Sequence, residues 1–429
     1  MRLNNQLLNL WVRNLEVVVT VIWLLYFMGV ALPSPLPKLM NVLTYPIIAI
    51  LVILHWKRLS WVATKDISLL LLVGTAFASV FWSVDLRATL AASRGLLRTF
   101  LFGAYLTTRY SLKEQMKILA WVFGIGAILS LAVALAIPSY AITRGGAWQS
   151  IFTHKNVLGY AMTIGAILFL LTAIKERRPN WLAWSGFGLT VVLSVLARSS
   201  TALVSLLVLL SLMPVYKLVR QHYKLRVILL SMTCILAGSA AIFIFGNLET
   251  ILVDILGEGL TWNGRIPIWG LIVEKTWERP WLGYGYNAFW KSDAGVYVIL
   301  NTWAPNDIAI EGQGFNAHSG YFELLPQLGF LGISLYAISL VTVFVRVFIL
   351  LLSTKKIEFF WLLQFLVFMC VANIGDMFVN IFSSSSSYTA IYVSICLSTA
   401  IEWRRISKKH YFKIERNKLD LHCSDSKIL

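Results

Sequence analysis

Long apolar runs recur along almost the whole chain, and they constrain its fold more than any other feature. A helix that crosses the hydrocarbon core of a bilayer needs about 20 mostly apolar residues. The sequence therefore predicts an all-α, polytopic integral membrane protein with about twelve transmembrane helices. The predicted spans are residues 15–32, 39–54, 66–82, 88–106, 116–137, 156–174, 181–197, 199–215, 226–246, 318–345, 358–373 and 388–403.

The composition supports a membrane protein and excludes several other classes. Hydrophobic residues make up 58% of the 429 residues and charged residues 13%, whereas a soluble domain carries about 45–50% and about 25%. This excludes a soluble enzyme, a disordered chain and a fibrous repeat. The net charge of +17 would suit a nucleic-acid-binding protein only at a much lower hydropathy, so we expect no nucleic-acid partner.

The distribution of Lys and Arg predicts the orientation of the chain. Of the 37 basic residues, 26 fall on the side of the membrane that holds both termini, 9 on the other side and 2 within the fourth span. Because Lys and Arg accumulate in cytoplasmic loops, we expect both termini to be cytoplasmic. Residues 1–403 then form the membrane domain, and residues 404–429 form a basic tail suited to anionic lipid.

One large polar segment, residues 247–317, connects the ninth and tenth spans on the outward side. It holds eight acidic and four basic residues, so its charge is opposite to that of the whole chain. Its six tryptophans are compatible with sugar binding and equally with an aromatic belt at the membrane interface. Its spacing predicts an amphipathic surface helix over 265–277. The predicted apolar face consists of Ile266, Trp269, Ile272, Val273 and Trp277.

Three arginines interrupt the fourth span and its outward end. Arg87, Arg94 and Arg98 are spaced seven and four residues apart, which places them on one face of a helix. A buried arginine is costly in a bilayer and often marks a functional path, and its guanidinium group suits phosphate oxygens. Alternatively, these arginines pair with carboxylates such as Asp85 or Glu323, or extend to the interface.

Further basic groups lie near the outward ends of other spans. The sixth span begins beside Lys155 and Asn156, and a helix N-terminus favours anions. Together these groups predict a binding site for the pyrophosphate of a polyprenol lipid, although each alone also fits interfacial anchoring. The groups are Arg144, His154, Lys155, Arg198 and Arg265.

His318 lies where the outward segment re-enters the membrane. Its ordinary pKa, near neutrality, suits proton transfer, but a structural role fits the same position. Residues 283–288 satisfy the pattern G-x-G-x-x-A without a preceding strand or a βαβ unit, so we exclude a dinucleotide site. The chain has no Walker A lysine, HExxH motif or paired cysteine motif, and we expect neither a cofactor nor a metal.

A series of short motifs in a fixed order resembles the O-antigen ligase and polymerase family, and within it the exopolysaccharide production proteins of the ExoQ type. The resemblance covers roughly residues 15–400. Each motif is weak alone, and the order, with the large outward segment, carries the resemblance. The motifs are Phe81-Trp82-Ser83-Val84-Asp85 before Arg94-Gly95, residues 152–159, residues 197–203, Gly264-Arg265 with Trp269, residues 280–285, and His318 with Tyr321, Gly329 and Gly332.

The resemblance implies a metal-independent glycosyltransferase of the bacterial inner (cytoplasmic) membrane, with a largely helical, GT-C-like fold. Such proteins take a glycan from undecaprenyl pyrophosphate at the periplasmic face and transfer it to a lipid-linked glycan or to lipid A core. The resemblance implies catalytic roles for Arg265 and His318. Family members often have Asn after this histidine, whereas this chain has Ser319. The chemistry adds Arg94, Arg98, Arg198, Lys155 and Asn156 as candidate residues for binding the pyrophosphate.

Two other classes of function remain open. Twelve spans with charge inside the membrane also suit a transporter or flippase of lipid-linked glycan, although we find no repeat of two similar halves. A non-catalytic assembly protein would tolerate replacement of all these arginines. The sequence does not separate polymerase from ligase, and a chain-length regulator is an expected partner of a polymerase.

Overall fold

The computed structural model describes residues 2–175, 180–225, 228, 264–302, 315–376, 383–384 and 386–425. The described residues are almost entirely helical, with only two isolated β-bridges. The predicted ninth span, except for residue 228, and residues 247–263 and 303–314 of the outward segment lie outside them. The helices are α1 (Arg2–Phe27), α2 (Leu36–Ala63), α3 (Ile67–Ala78), α4 (Leu86–Arg109), α5 (Leu112–Ala136), α6 (Pro138–Ala141), α7 (Lys155–Lys175), α8 (Trp181–Leu196), α9 (Ser200–Ser211), α10 (Met213–Val219), α11 (Arg265–Thr276), α12 (Asp293–Leu300), α13 (Gly320–Thr354), α14 (Ile357–Gly375) and α15 (Ser387–Asp425).

Six stretches among the described residues are long and apolar enough to cross a membrane. They are α2, α5, α7, the α9–α10 pair, α13 and α14. Two further apolar helices, over Ile67–Phe81 and Trp181–Leu196, are shorter. The chain is therefore a largely helical, polytopic membrane protein, and the count of twelve spans stays a prediction.

Local polar signals start several of these helices. Asp85 caps α4 by accepting a hydrogen bond from the amide of Ala88, and Asn180 caps α8 in the same way. Ser111 and Glu114 form a reciprocal capping box at the start of α5. Such caps satisfy backbone amides that a helix leaves unpaired. They explain why the helices begin where the apolar runs begin.

Small residues bring helices into close contact at the centre of the bundle. α7 is almost completely buried and packs against α5, α8, α9 and α14. A Cβ atom on Gly103 of α4 would lie 2.6 Å from the carbonyl oxygen of Ala390 in α15. A Cβ atom on Gly95 would lie 2.4 Å from that of Ser384. The backbone at Ser384 therefore packs directly against the part of α4 that carries Arg94 and Arg98.

Polar contacts group the connecting segments at two opposite ends of the bundle. At one end, Arg109 pairs with Glu16 at 2.5 Å, Lys175 pairs with Glu358 at 2.6 Å, and Arg346 pairs with Asp66. The charge count assigns the segments at this end to the cytoplasm.

At the other end, the segments that the charge count places outside contact one another. Lys291 pairs with Asp85 at 3.5 Å, and the indole of Trp82 donates to the carbonyl of Leu282 at 2.9 Å. The amide of Thr153 donates to the carbonyl of Gly29. These contacts agree with the predicted alternation of the segments and leave the absolute orientation a prediction.

The outward segment has its own small core. Ile268 and Ile272 of α11 are buried together with residues of α12 and Ala317. The predicted helix over 265–277 is present as α11, but the predicted apolar face is only partly correct. Ile266, Val273 and Trp277 are exposed, because the buried stripe runs through Ile268, Ile272 and Thr276 instead. α11 therefore has two apolar faces, one packed inside and one open.

α15 continues without a break across the predicted boundary between the membrane domain and the basic tail. The helix runs from Ser387 to Asp425, and the predicted boundary lies after Trp403. One helix therefore passes through this boundary, and the division into a membrane domain and a basic tail stays a prediction.

Candidate active site

A buried carboxylate, Asp376, forms the centre of a polar cluster at the outward end of the bundle. It is 3% exposed and follows the last residue of α14. The amide of Asn156 donates to its Oδ2 at 2.8 Å, and the hydroxyl of Tyr160 donates to the same oxygen at 3.2 Å. α7 supplies both donors because they lie four residues apart on one face of its first turns.

Two histidines and Arg265 lie around this carboxylate. Burial and the positive charge of Arg265 lower the pKa of His318, and Asp376 acts in the opposite direction. Burial also lowers the pKa of His154, which interacts with Asp376 and Lys155. Both imidazoles are therefore mostly neutral near pH 7 and able to accept a proton.

The backbone around His318 is held in a special conformation. His318 adopts a φ of 49°, a left-handed value that is uncommon for a residue with a side chain. Its amide donates to the side-chain oxygen of Asn316 at 2.9 Å. On its other side, the hydroxyl of Ser319 donates to the carbonyl of Asn373 at 3.0 Å. The side chain after the histidine thus fixes the turn to α14.

Glu323 supports this turn from inside. It is buried and accepts hydrogen bonds at 2.8–2.9 Å from the indole of Trp290, the amide of Gln327 and the backbone of Ala317. Trp269 donates to the carbonyl of Ala317 at 2.8 Å. The sequence allows Glu323 and Asp85 as carboxylate partners for the arginines of α4. In the structure Glu323 binds these neutral donors, and Asp85 pairs with Lys291.

The tryptophans of the outward segment divide into two groups. Trp269 and Trp290 contact the turn before α13, and each indole donates a hydrogen bond there. Trp277 and Trp281 are 65% and 72% exposed and both contact the ring of Phe330. Trp262 and Trp303 lie outside the described residues. Both interpretations, sugar binding and interfacial anchoring, therefore apply to the exposed pair.

A second group of basic residues lies beside the cluster. The ammonium group of Lys155 donates to the carbonyl of Arg198 at 3.5 Å. The guanidinium group of Arg198 donates to the carbonyl of Gly145 at 2.9 Å. Arg198 has a φ of 48° at the turn between α8 and α9. The structure thus brings five predicted site residues to one region: His318, Arg265, Arg198, Lys155 and Asn156.

Arg94 and Arg98 occupy a different part of the bundle. They line a groove of about 420 Å³ between α2 and α4, whose other lining residues are hydrophobic or aromatic. Arg98 is 3% exposed; it donates to Asn41 at 2.5 Å and to Thr44 at 2.9 Å. The rings of Phe27 and Tyr45 lie 4.5 and 4.7 Å from its guanidinium carbon. A role for these arginines in binding the pyrophosphate stays a prediction.

The motif over residues 280–285, which overlaps the excluded dinucleotide pattern at residues 283–288, has a structural role. α13 breaks at Gly329, whose φ is 62°. The amide of Phe330 donates to the carbonyl of Pro280 at 2.7 Å. The amides of Tyr284 and Gly285 donate at 2.9 Å to carbonyls of the residues just before the break. The outward segment thus satisfies backbone groups that the broken helix leaves open.

Asp376 and Tyr160 are the site residues that sequence reasoning missed. Asp376 lies between two apolar runs and carries no motif, and Tyr160 falls inside a predicted span. The available signal was the pairing of an acidic residue at the end of one span with Asn156 at the start of another. Among residues 264–302, 315–376 and the other described ranges, no three metal-binding side chains converge on one point.

Comparison with known proteins supports the resemblance predicted from the motifs. Residues 185–337 match the family model for O-antigen ligases. This range contains Arg198, Arg265, His318 and the broken part of α13, whereas Asn156 and Asp376 lie outside it.

One characterised relative is the exopolysaccharide production protein ExoQ of Rhizobium meliloti (strain 1021). The two sequences are 25% identical over 198 residues, which is 45% of this chain. The match likewise covers 45% of the relative, so somewhat less than half of its length is compared. The predicted resemblance to the O-antigen ligase family, with similarity to an ExoQ exopolysaccharide production protein, is thereby confirmed.

Proposed function

We propose that the protein is a glycosyltransferase of polysaccharide biosynthesis that transfers a glycan from undecaprenyl pyrophosphate to an acceptor hydroxyl. The reaction takes place at the periplasmic face of the bacterial inner membrane. The acceptor is a second lipid-linked glycan in a polymerase, or lipid A core in a ligase. The observation that carries the proposal is the position of His318 beside Arg265 and the buried Asp376.

The chemistry requires a base and a group that stabilises the leaving pyrophosphate. The acceptor oxygen attacks the anomeric carbon, the bond from that carbon to the pyrophosphate oxygen breaks, and the pyrophosphate leaves with the electron pair. His318 takes the proton of the acceptor hydroxyl, and Asp376 stabilises the imidazolium ion. Arg265 stabilises the negative charge that develops on the pyrophosphate. This scheme needs no metal or cofactor.

The remaining predicted residues bind the donor. Arg198 and Lys155 lie beside the cluster and provide further positive charge, and Asn156 orients Asp376. Arg94 and Arg98 line the groove between α2 and α4, where an isoprenoid chain and its phosphates meet both apolar and basic groups. In this proposal residues 1–403 form the catalytic membrane domain, with both termini cytoplasmic and residues 404–429 as a basic tail. A chain-length regulator is an expected partner of the polymerase form.

The test is glycan transfer by the purified protein supplied with lipid-linked repeat units. His318→Ala should lower the rate by about 10²–10⁴-fold, the usual contribution of a general base. Arg265→Ala should lower it by about 10²–10³-fold. Matched controls are His222→Ala, at an exposed position outside the cluster, and Arg279→Ala, at an exposed position of the outward segment. Full activity of both site variants would contradict the proposed site.

A transporter or flippase is the second candidate, and one observation favours it. α13 is a discontinuous helix, broken at Gly329 with Pro326 nearby, and such helices line the substrate sites of many transporters. Movement of labelled lipid-linked glycan across liposomes without any covalent product would support this alternative. Formation of longer or transferred glycan would support the glycosyltransferase.

A further inference from the structure

A second groove lies at the opposite end of the bundle from the candidate active site. It has a volume of about 420 Å³ and lies between α5 and α8, with α7 as its floor. Most of its lining is apolar, and Lys117 and Asn180 lie at one end. Gly124 and Gly186 line it without side chains, so the ring of Phe169 is accessible between them.

The groove is open to the surroundings of the bundle along its length. Trp121 and Ile128 on one rim are 62% and 63% exposed, and Leu182 on the other rim is 79% exposed. In a membrane protein, exposed apolar side chains on such helices face lipid tails. An apolar ligand can therefore enter from the bilayer.

The length of the groove matches one leaflet. Along α5 it extends from Lys117 to Ile128, which at 1.5 Å per residue is about 17 Å. Half of the hydrocarbon core is about 15 Å. A ligand that fills this groove is a chain of one leaflet, and a chain that crosses the midplane does not fit.

Charge at the end of the groove selects the head group. Lys117 is exposed, and within the described ranges it forms no ion pair with a carboxylate. The neighbouring Lys175, by contrast, is neutralised by Glu358 at 2.6 Å. A basic residue at the mouth of a pocket between transmembrane helices attracts anionic lipid head groups. The amine and the apolar groove together fit an anionic phospholipid.

The groove and the proposed donor site lie at different positions along α7. Thr172 lines the groove and Asn156 binds Asp376. These two residues are sixteen positions apart, which corresponds to about 24 Å along the helix. A lipid in the groove therefore belongs to the leaflet opposite to the one in which the glycan carrier would present its pyrophosphate.

We propose that the groove between α5 and α8 is a binding site for one anionic phospholipid of that opposite leaflet. An acyl chain lies along Gly124, Phe169 and Gly186, and the phosphate group contacts Lys117. This inference is independent of the glycosyltransferase proposal, because it concerns a lipid that is not a substrate.

The experiment measures phospholipid binding to the full-length protein in detergent. After delipidation, phosphatidylglycerol or phosphatidylcholine with the same acyl chains is added, and bound lipid is counted by native mass spectrometry. We expect one phosphatidylglycerol to bind in preference to phosphatidylcholine. Lys117→Gln should weaken phosphatidylglycerol binding about fivefold, the effect of one basic residue near a membrane surface. It should weaken phosphatidylcholine binding less, because the positive choline group offsets the charge of the phosphate.

Two controls match the two test variants. Gly124→Leu fills the groove and should abolish binding of both lipids, because a Cβ atom there already lies 3.4 Å from Phe169. Gly188→Leu is its control, since a Cβ atom at Gly188 has no neighbour within 4 Å. Lys113→Gln, also exposed and on the same helix, is the control for Lys117→Gln. Equal binding of the two lipids by the natural protein, or phosphatidylglycerol binding by Lys117→Gln equal to that of Lys113→Gln, would overturn the proposal.

Discussion

The protonation of His318 depends on its burial and on neighbours of opposite charge. Burial lowers its pKa most, Arg265 lowers it further, and Asp376 raises it. In a pocket with restricted access to water, such neighbours set the fraction of neutral imidazole at a given pH. If His318 is the base, the transfer rate falls as the pH decreases through its pKa, because the protonated ring cannot accept a proton.

Two substitutions should move this acidic limb of the pH profile in opposite directions. Asp376→Asn removes the charge that raises the pKa of His318, so the limb should move to lower pH. Arg265→Gln removes a charge that lowers this pKa, so the limb should move to higher pH. The measurement is the pH dependence of glycan transfer for each variant, including the low residual rates. Movement of both limbs in the same direction would contradict the proposed electrostatics.

Glu323 shows how a buried carboxylate positions the site without touching it. It accepts three hydrogen bonds, one of them from the residue before His318. Glu323→Ala leaves these buried donors without a partner, at a cost of about 1–3 kcal/mol for a buried polar group. We expect a clear decrease in the thermal unfolding temperature in detergent and a loss of transfer activity.

The surface carboxylate Glu278 provides the control for this substitution. It pairs with Lys275 at 2.8 Å, accepts one hydrogen bond from the hydroxyl of Tyr284 at 2.7 Å and is half exposed, and exposed ion pairs contribute about 0–1 kcal/mol. Glu278→Ala should therefore change the unfolding temperature much less than Glu323→Ala. Similar decreases for both variants would show that Glu323 has no special structural role.

At the scale of elements, the positions of most helices could be predicted from the sequence. A break within a helix and the buried face of a helix could not. Every predicted span that falls on described residues overlaps a helix, because long apolar runs and caps such as Asp85 are local signals. The predicted span over 199–215 is divided between α9 and α10. The break of α13 was not predicted, since Pro326 and Gly329 are compatible with an uninterrupted span. The buried face of α11 was also missed, because the small core that covers it is built from residues distant in sequence.

The break in α13 predicts that Gly329 and Gly283 do not tolerate a side chain. A Cβ atom on Gly329 would lie 2.5 Å from backbone atoms of Trp281, and one on Gly283 would lie 2.5 Å from the carbonyl of Pro326. Both residues also have positive φ, which Ala adopts at a cost. Gly329→Ala and Gly283→Ala should each markedly lower the yield of folded, monodisperse protein and its unfolding temperature.

Gly270 is the matched control within the same outward segment. It lies inside α11, and a Cβ atom there has no neighbour within 4 Å. Because Ala favours a helix over Gly by about 1 kcal/mol, Gly270→Ala should leave the protein as stable as before or slightly more stable. A loss of folded protein with Gly270→Ala equal to that with Gly329→Ala would contradict the argument.

At the scale of the whole molecule, the charge count and the contacts describe the same two ends. Segments that the count assigns to one side contact one another, as in the pairs Arg109–Glu16 and Lys291–Asp85. The candidate site lies at the end with few basic connecting residues. Asp376 could not be assigned to it from sequence, because the clustering depends on how distant helices pack.

Labelling of introduced cysteines tests the orientation. In a variant without the natural cysteines, Asn301→Cys lies on the outward segment at an exposed position. It should react with a membrane-impermeant maleimide in intact spheroplasts. Ser353→Cys, exposed near the end of α13, should react only after the membrane is permeabilised. The opposite pattern would place the candidate active site on the cytoplasmic side.

The pairing between residues 280–285 and the break in α13 also limits how related chains can differ in length. Four backbone hydrogen bonds fix the register between these two stretches. An insertion or deletion within either stretch would shift every one of them. Changes in length that adapt such a protein to a different glycan should therefore fall elsewhere in the outward segment, and a set of related sequences should show constant spacing within residues 280–285 and 326–331.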